Sequence, residues 1–156
     1  MAIRIAQYKG KSFISSLIKF VTWGTYSHTA IMLSDTEIVE AWEGSNSVRI
    51  IRGLDDGHKI GTSVDIYSVE LTEEQEAIFR EFVAEQIGKK YDFWGIAGFL
   101  VRRSIQTKGS WFCSELFAAA CIAAGAPLLN DRKPYQISPQ MVISSPRTKL
   151  LQSLVV

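Results

Sequence analysis

Cysteine is scarce in this chain: Cys113 and Cys121 are the only two among 156 residues. On one helix they would lie about 12 Å apart at roughly 1.5 Å rise per residue, too far for a bridge. No disulfide scaffold follows, and with histidine limited to His28 and His58 no Cys/His metal pattern is visible either. A reducing compartment suits such a chain. Charge of one sign is equally absent, since 17 basic residues against 16 acidic ones leave a net charge of +1. That balance makes no case for nucleic acid or an anionic membrane surface as partner. The sequence has no uncharged apolar run of about 18 residues, so no transmembrane helix is expected. Met1-Ala2-Ile3-Arg4-Ile5 shows no basic region leading into an apolar stretch, so a cytoplasmic protein as encoded is the expectation. Repeats, low-complexity tracts and linkers are missing too, which predicts a single domain over 1–156.

Hydrophobic content of 47% is what a packed globular domain needs. Residues 2–8 alternate loosely and suit a strand, and Phe13, Ile14, Leu17, Ile18 and Val21 recur at helical spacing over 12–23. Strands are expected over 26–33, 37–42, 47–52 and 63–69, each pair separated by a turn or a polar, glycine-bearing loop. Thr72 and Gln75 form a capping box ahead of an apolar stripe of Ile78, Phe79, Phe82, Val83 and Ile87, which Gly88 terminates. The apolar, aromatic stretch 91–101 predicts a shorter helix, and 102–109 a polar loop. Pro134, Pro139 and Pro146 predict a mostly irregular C-terminal tail.

The most informative stretch is Trp111-Phe112-Cys113-Ser114-Glu115-Leu116-Phe117. An alanine-rich segment follows it, and Gly125 and Pro127 stop that segment, so a helix is expected with Ser110 as its N-cap. Cys113 then falls in the first turn, where free N–H groups and the dipole favour a thiolate, the nucleophilic form. Cys121, two turns on, is expected to be buried and inert.

A nucleophilic thiol needs a base. His58, within Asp55-Asp56-Gly57-His58-Lys59, reads as a solvated turn residue, whereas His28 opens an apolar strand. If Ser34 to Thr36 form a three-residue turn, Ala30 faces Glu40 and Glu40 becomes the diagonal neighbour of His28, within reach of long side chains. A carboxylate there fixes the imidazole tautomer, the orienting role in a triad. A two-residue turn instead sets Glu43 opposite His28, so on geometry alone both carboxylates stand as candidates.

Four pieces in this order resemble a known family: Tyr26-Ser27-His28-Thr29-Ala30-Ile31, Ile38-Val39-Glu40-Ala41, Gly88-Lys89-Lys90-Tyr91-Asp92 and Trp111 to Leu116. The chain is similar to the permuted papain-like cysteine hydrolases of the NlpC superfamily, nearest the YiiX/YebB-like branch, over residues 26 to about 120. Thr29 departs from the valine commoner there. The resemblance implies an α+β fold of circularly permuted papain-like type, with a small antiparallel sheet packed on the cysteine helix. It implies Cys113 as nucleophile, His28 as base and Glu40 rather than Glu43 as orienter. It further implies Tyr91 near the nucleophile, where its hydroxyl would serve an oxyanion unless it is a core aromatic. The implied chemistry is acyl-enzyme hydrolysis without metal or cofactor, with a peptidoglycan stem-peptide amide as substrate. An acyl lipid is the rival substrate, for a hydrolase or acyltransferase, and an inactive binding module the rival class. A cell-wall substrate would require delivery by lysis, phage or a secretion apparatus.

Overall fold

The computed structural model describes residues 2–92 and 110–156. One eight-stranded sheet runs through it in the order β7-β6-β4-β3-β2-β1-β5-β8. The strands are β1 (Arg4–Lys9), β2 (His28–Met32), β3 (Ile38–Trp42), β4 (Ser47–Ile51), β5 (Ser63–Val69), β6 (Lys90–Tyr91), β7 (Ser110–Trp111) and β8 (Thr148–Val155). All neighbours are antiparallel except β6 and β7. The sheet is thus larger than the small one expected, and its β6–β7 end is parallel.

The helices are α1 (Phe13–Val21), α2 (Glu73–Gln86), α3 (Cys113–Ala123) and a short α4 (Pro139–Val142). Ser12 caps α1, accepting from the Ser15 N–H, and Thr72 with Gln75 closes the expected box on α2. The α2 stripe buries Phe79 and Val83, while Ile78 and Ile87 stay partly exposed.

Helix α3 is buried from Cys113 to Cys121. A helix that is apolar all round belongs inside, and its alanines let α2, β2 and β3 approach closely. Its start differs from expectation. Phe112 is the N-cap, two residues after Ser110, because Ser110 and Trp111 pair with Lys90 and Tyr91. The Asp92 N–H donates to the Trp111 carbonyl at 3.0 Å. Phe112 carries no side-chain acceptor, and Glu115 supplies one by reaching back to its N–H at 3.2 Å. Cys113 is therefore the first helical residue.

Two further expectations fail. The tail is not irregular: beyond Pro146 the chain enters β8, an edge strand on β5 whose Leu150 and Leu151 stay exposed, so no core-facing alternation marks it. Tyr91 belongs to β6 rather than to a helix, and residues 93–109, on which the rest of that helix and the polar loop fall, lie outside the described residues.

The core is divided by the sheet. Ile5, Ile31, Val39 and Ala41 pack under the helices with Phe79, Leu116, Phe117 and Cys113. On the opposite face Ala6, Tyr8, Ala30, Met32, Ile38 and Ile51 form a second cluster with Leu54 of the following loop packed on it.

Candidate active site

Four strands place a row of polar side chains across the second face. Tyr8 pairs with His28 between β1 and β2, and Glu40 with Arg49 between β3 and β4. The β2–β3 register, Ile31 with Val39 and Met32 with Ile38, is that of a three-residue turn. It makes Glu40 the diagonal neighbour of His28, and His28 Nε2 lies 2.6 Å from Glu40 Oε2. Glu43 falls instead in the turn after Trp42, where its carbonyl accepts from the Asn46 N–H.

Glu40 is fully shielded and must be paired to stay charged. Arg49, which sequence reasoning missed, does this: its Nε and Nη2 donate to Glu40 Oε1 at 2.9 and 2.7 Å, a two-point charge-assisted bond. Counting residues across the 43–46 turn would have found it, since the two charges stand directly opposite. Burial works against ionisation of Glu40, but the charge of His28 and the hydrogen bonds from His28 and Arg49 hold its carboxyl well below the usual range. Trp42 frames the pair, with the Arg49 guanidinium 4.9 Å over its ring and His28 edge-on at 5.3 Å.

His28 joins the two core clusters. Its Nε2 lies against Glu40, and Cys113, at the start of α3, is near enough to act electrostatically on the ring. Burial opposes the imidazolium, yet the charge of Cys113, the charge of Glu40 and bonds to both carry its pKa up to about 10. Cys113, His28 and Glu40 are thus brought together by the fold.

Tyr91 is buried and packs 6.1 Å from Phe112. Burial first, and then the charges of Cys113, Glu43 and Asp92, push its hydroxyl well above the usual tyrosine range. Its ring is buried, and its protonated hydroxyl stands within the electrostatic reach of the thiol. Cys121 is buried, and burial pushes its thiol up to about 12 against the opposing charge of Arg147.

His58 corrects the sequence reading. Its side chain is only 5% exposed, with Nε2 at 3.8 Å from Glu40 Oε2, too long for a hydrogen bond. The ring stacks on Tyr8 at 3.8 Å and 10°. Two contacts fold its loop onto the site: the Tyr8 hydroxyl donates to the Leu54 carbonyl, and Arg49 to that of Asp56. Gly57 makes the turn at φ +80°, and a Cβ there would meet Arg49 Nη2 at 2.8 Å. Nothing in the local sequence separates this loop from a solvated one.

These shifts give stability a pH profile. His28, raised, contributes fully below its unfolded pKa of about 6.5 and loses the contribution as pH climbs toward about 10. Glu40, lowered, contributes above about 4.5 and loses it on acidification. Urea midpoints are expected to peak between these limits, near pH 5–6. Cys113→Ala should flatten the alkaline limb, because the charge of Cys113 is the largest influence raising His28. An unchanged limb would show that the thiol does not act on the ring.

No protein-family model matches the chain, and no curated protein matches it. Among solved structures the chain is similar to metalloprotein yiiX from Escherichia coli O157:H7, DUF1105, with a TM-score of 0.67 and 18% identity. The match covers 97% of this chain and 96% of that one, so the chain has a YiiX-like α+β fold along nearly its whole length. No helix of the described residues is long and apolar enough to cross a membrane.

Proposed function

We propose that this protein is a cysteine hydrolase of circularly permuted papain-like type, cleaving an amide in a peptidoglycan stem peptide or a related peptide. The observation that carries the reading is the continuous chain from Cys113 through His28 to a buried, ionised Glu40. The histidine strand precedes the cysteine helix, the permuted order. In the reaction His28 Nδ1 takes the Cys113 proton, and the sulfur attacks the carbonyl carbon to form a C–S bond. The oxyanion is met by first-turn N–H groups of α3 and the Tyr91 hydroxyl. His28 returns the proton to the leaving nitrogen as the C–N bond breaks. Water, deprotonated by His28, then releases the acyl group and restores the thiol. Glu40 holds the proton on Nε2 throughout, and Arg49 holds Glu40.

The test begins with iodoacetamide at about pH 6.5, read by mass spectrometry. Cys113 should be alkylated and Cys121 spared, although both are buried, because only Cys113 has an imidazole partner. Equal labelling would overturn the assignment. Muropeptides and acyl lipids are then screened for turnover that Cys113→Ala abolishes.

An acyl-lipid substrate is the second reading. It is favoured by Phe20 and Trp23, 74% and 87% exposed at the end of α1, an apolar pair of the kind that seats on lipid. Turnover of acyl lipids alone would decide for it, and turnover of neither class would favour a binding module.

A further inference from the structure

We propose that His28, Glu40 and His58 form a site for a divalent transition metal of the zinc class, with Nε2 of each imidazole and Glu40 Oε2 as ligands. The starting observation is His58 Nε2, a buried nitrogen with no hydrogen-bond partner among the described residues. Such orphans are rare, since leaving a buried polar atom unpaired costs stability. This one faces a carboxylate oxygen 3.8 Å away, and that oxygen lies 2.6 Å from a second imidazole nitrogen. All three ligand atoms lie within 4.8 Å of one another. Zinc at its usual bond lengths of about 2.0–2.2 Å spaces tetrahedral ligands about 3.4 Å apart. The observed separations bracket that figure, so shifts on the order of 1 Å close the site. His58 sits on a loop, which can supply them.

The surroundings suit a metal ligand set. Two imidazoles and one carboxylate make a recognised zinc donor set that leaves the fourth position open. Arg49 binds Oε1 through two donors and turns Oε2 toward the histidines, as hydrogen-bonded second partners do for ligating carboxylates. Tyr8 stacks on His58, and Trp42 stands edge-on to both imidazoles, which holds the ring planes.

Occupancy would oppose the thiol chemistry. Metal at His28 takes the Nε2 lone pair, so the neutral ring must carry its single proton on Nδ1. Nδ1 then has no lone pair to accept the Cys113 proton, so one histidine serves either the metal or the thiol. The metal site does not depend on which substrate the thiol attacks, and it stands even if the hydrolase reading fails.

The experiment is calorimetric titration of metal-stripped protein with Zn2+, together with the visible spectrum of the Co2+ form. One tight site per chain is expected, with the spectrum of a tetrahedral N/O set and no sulfur charge-transfer band. His58→Phe keeps the stack on Tyr8 but removes the lone pair, and it should weaken binding at least about 100-fold, no less than loss of an outer partner. Cys113→Ser should bind at least as tightly as the parent, because loss of the thiol's charge eases deprotonation of His28. Circular dichroism melts establish that each variant is folded, and His58→Gln replaces His58→Phe if that variant is not. Absence of binding, binding unchanged in the folded His58 variant, or binding lost in Cys113→Ser would each overturn the site.

Discussion

Glu40→Gln is expected to slow turnover by up to about 10⁴-fold while the fold persists, the scale seen when the orienting carboxylate of a serine triad is made an amide. The reason lies in what surrounds Oε1. Arg49 presents two donors to that position, and a Gln side chain has only one oxygen to offer them. The amide NH2 must then face His28 Nε2, and two donors cannot share a bond. His28 is driven to the tautomer with its proton on Nδ1, which leaves nothing to accept the Cys113 proton. The alkylation rate of Cys113 reports the same change without a substrate. Glu43→Gln, in the turn beyond Trp42, should leave that rate within about twofold, as surface changes usually do. The reverse pattern would pass the orienting role to Glu43 and contradict the β2–β3 register.

Phe117→Ala is expected to cost about 3–5 kcal/mol of unfolding free energy. Phe117 is fully buried in α3 and meets Phe79 of α2 edge-on at 5.9 Å. The cavity would open where the cysteine helix is held down, between helices already close-packed through alanine, so little can collapse into it. Ile122→Ala, 43% exposed on the same helix, should cost far less. Urea denaturation of both variants decides it; similar losses would mean that α3 is not anchored through its inner face.

Local chemistry made part of the fold legible. The capping box at Thr72, strand 63–69 and the end of α3 at Gly125 follow from residues within a few positions of one another. So does the β2–β3 register, because turn length fixes which side chains share a face. That arithmetic allowed Glu40 for a three-residue turn and Glu43 for a two-residue one, and the folded hairpin has the three-residue turn. Where partners came from afar, the sequence was silent. Ser110 reads as a cap until Lys90 takes it as a strand partner, and β8 reads as irregular until β5 supplies its other half.

The site divides along the same line. By itself the sequence determined candidates within one hairpin and one helix start: His28, either Glu40 or Glu43, and Cys113, with Glu40 chosen over Glu43 by the family resemblance. Only the tertiary structure decided how the carboxylate is kept charged and what else stands beside it. Arg49 reaches Glu40 across a second hairpin, and His58 arrives on a loop whose composition is that of any solvated turn. A buried ion cluster depends on desolvation and on every group packed against it, and those are properties of the folded chain rather than of any window of its sequence.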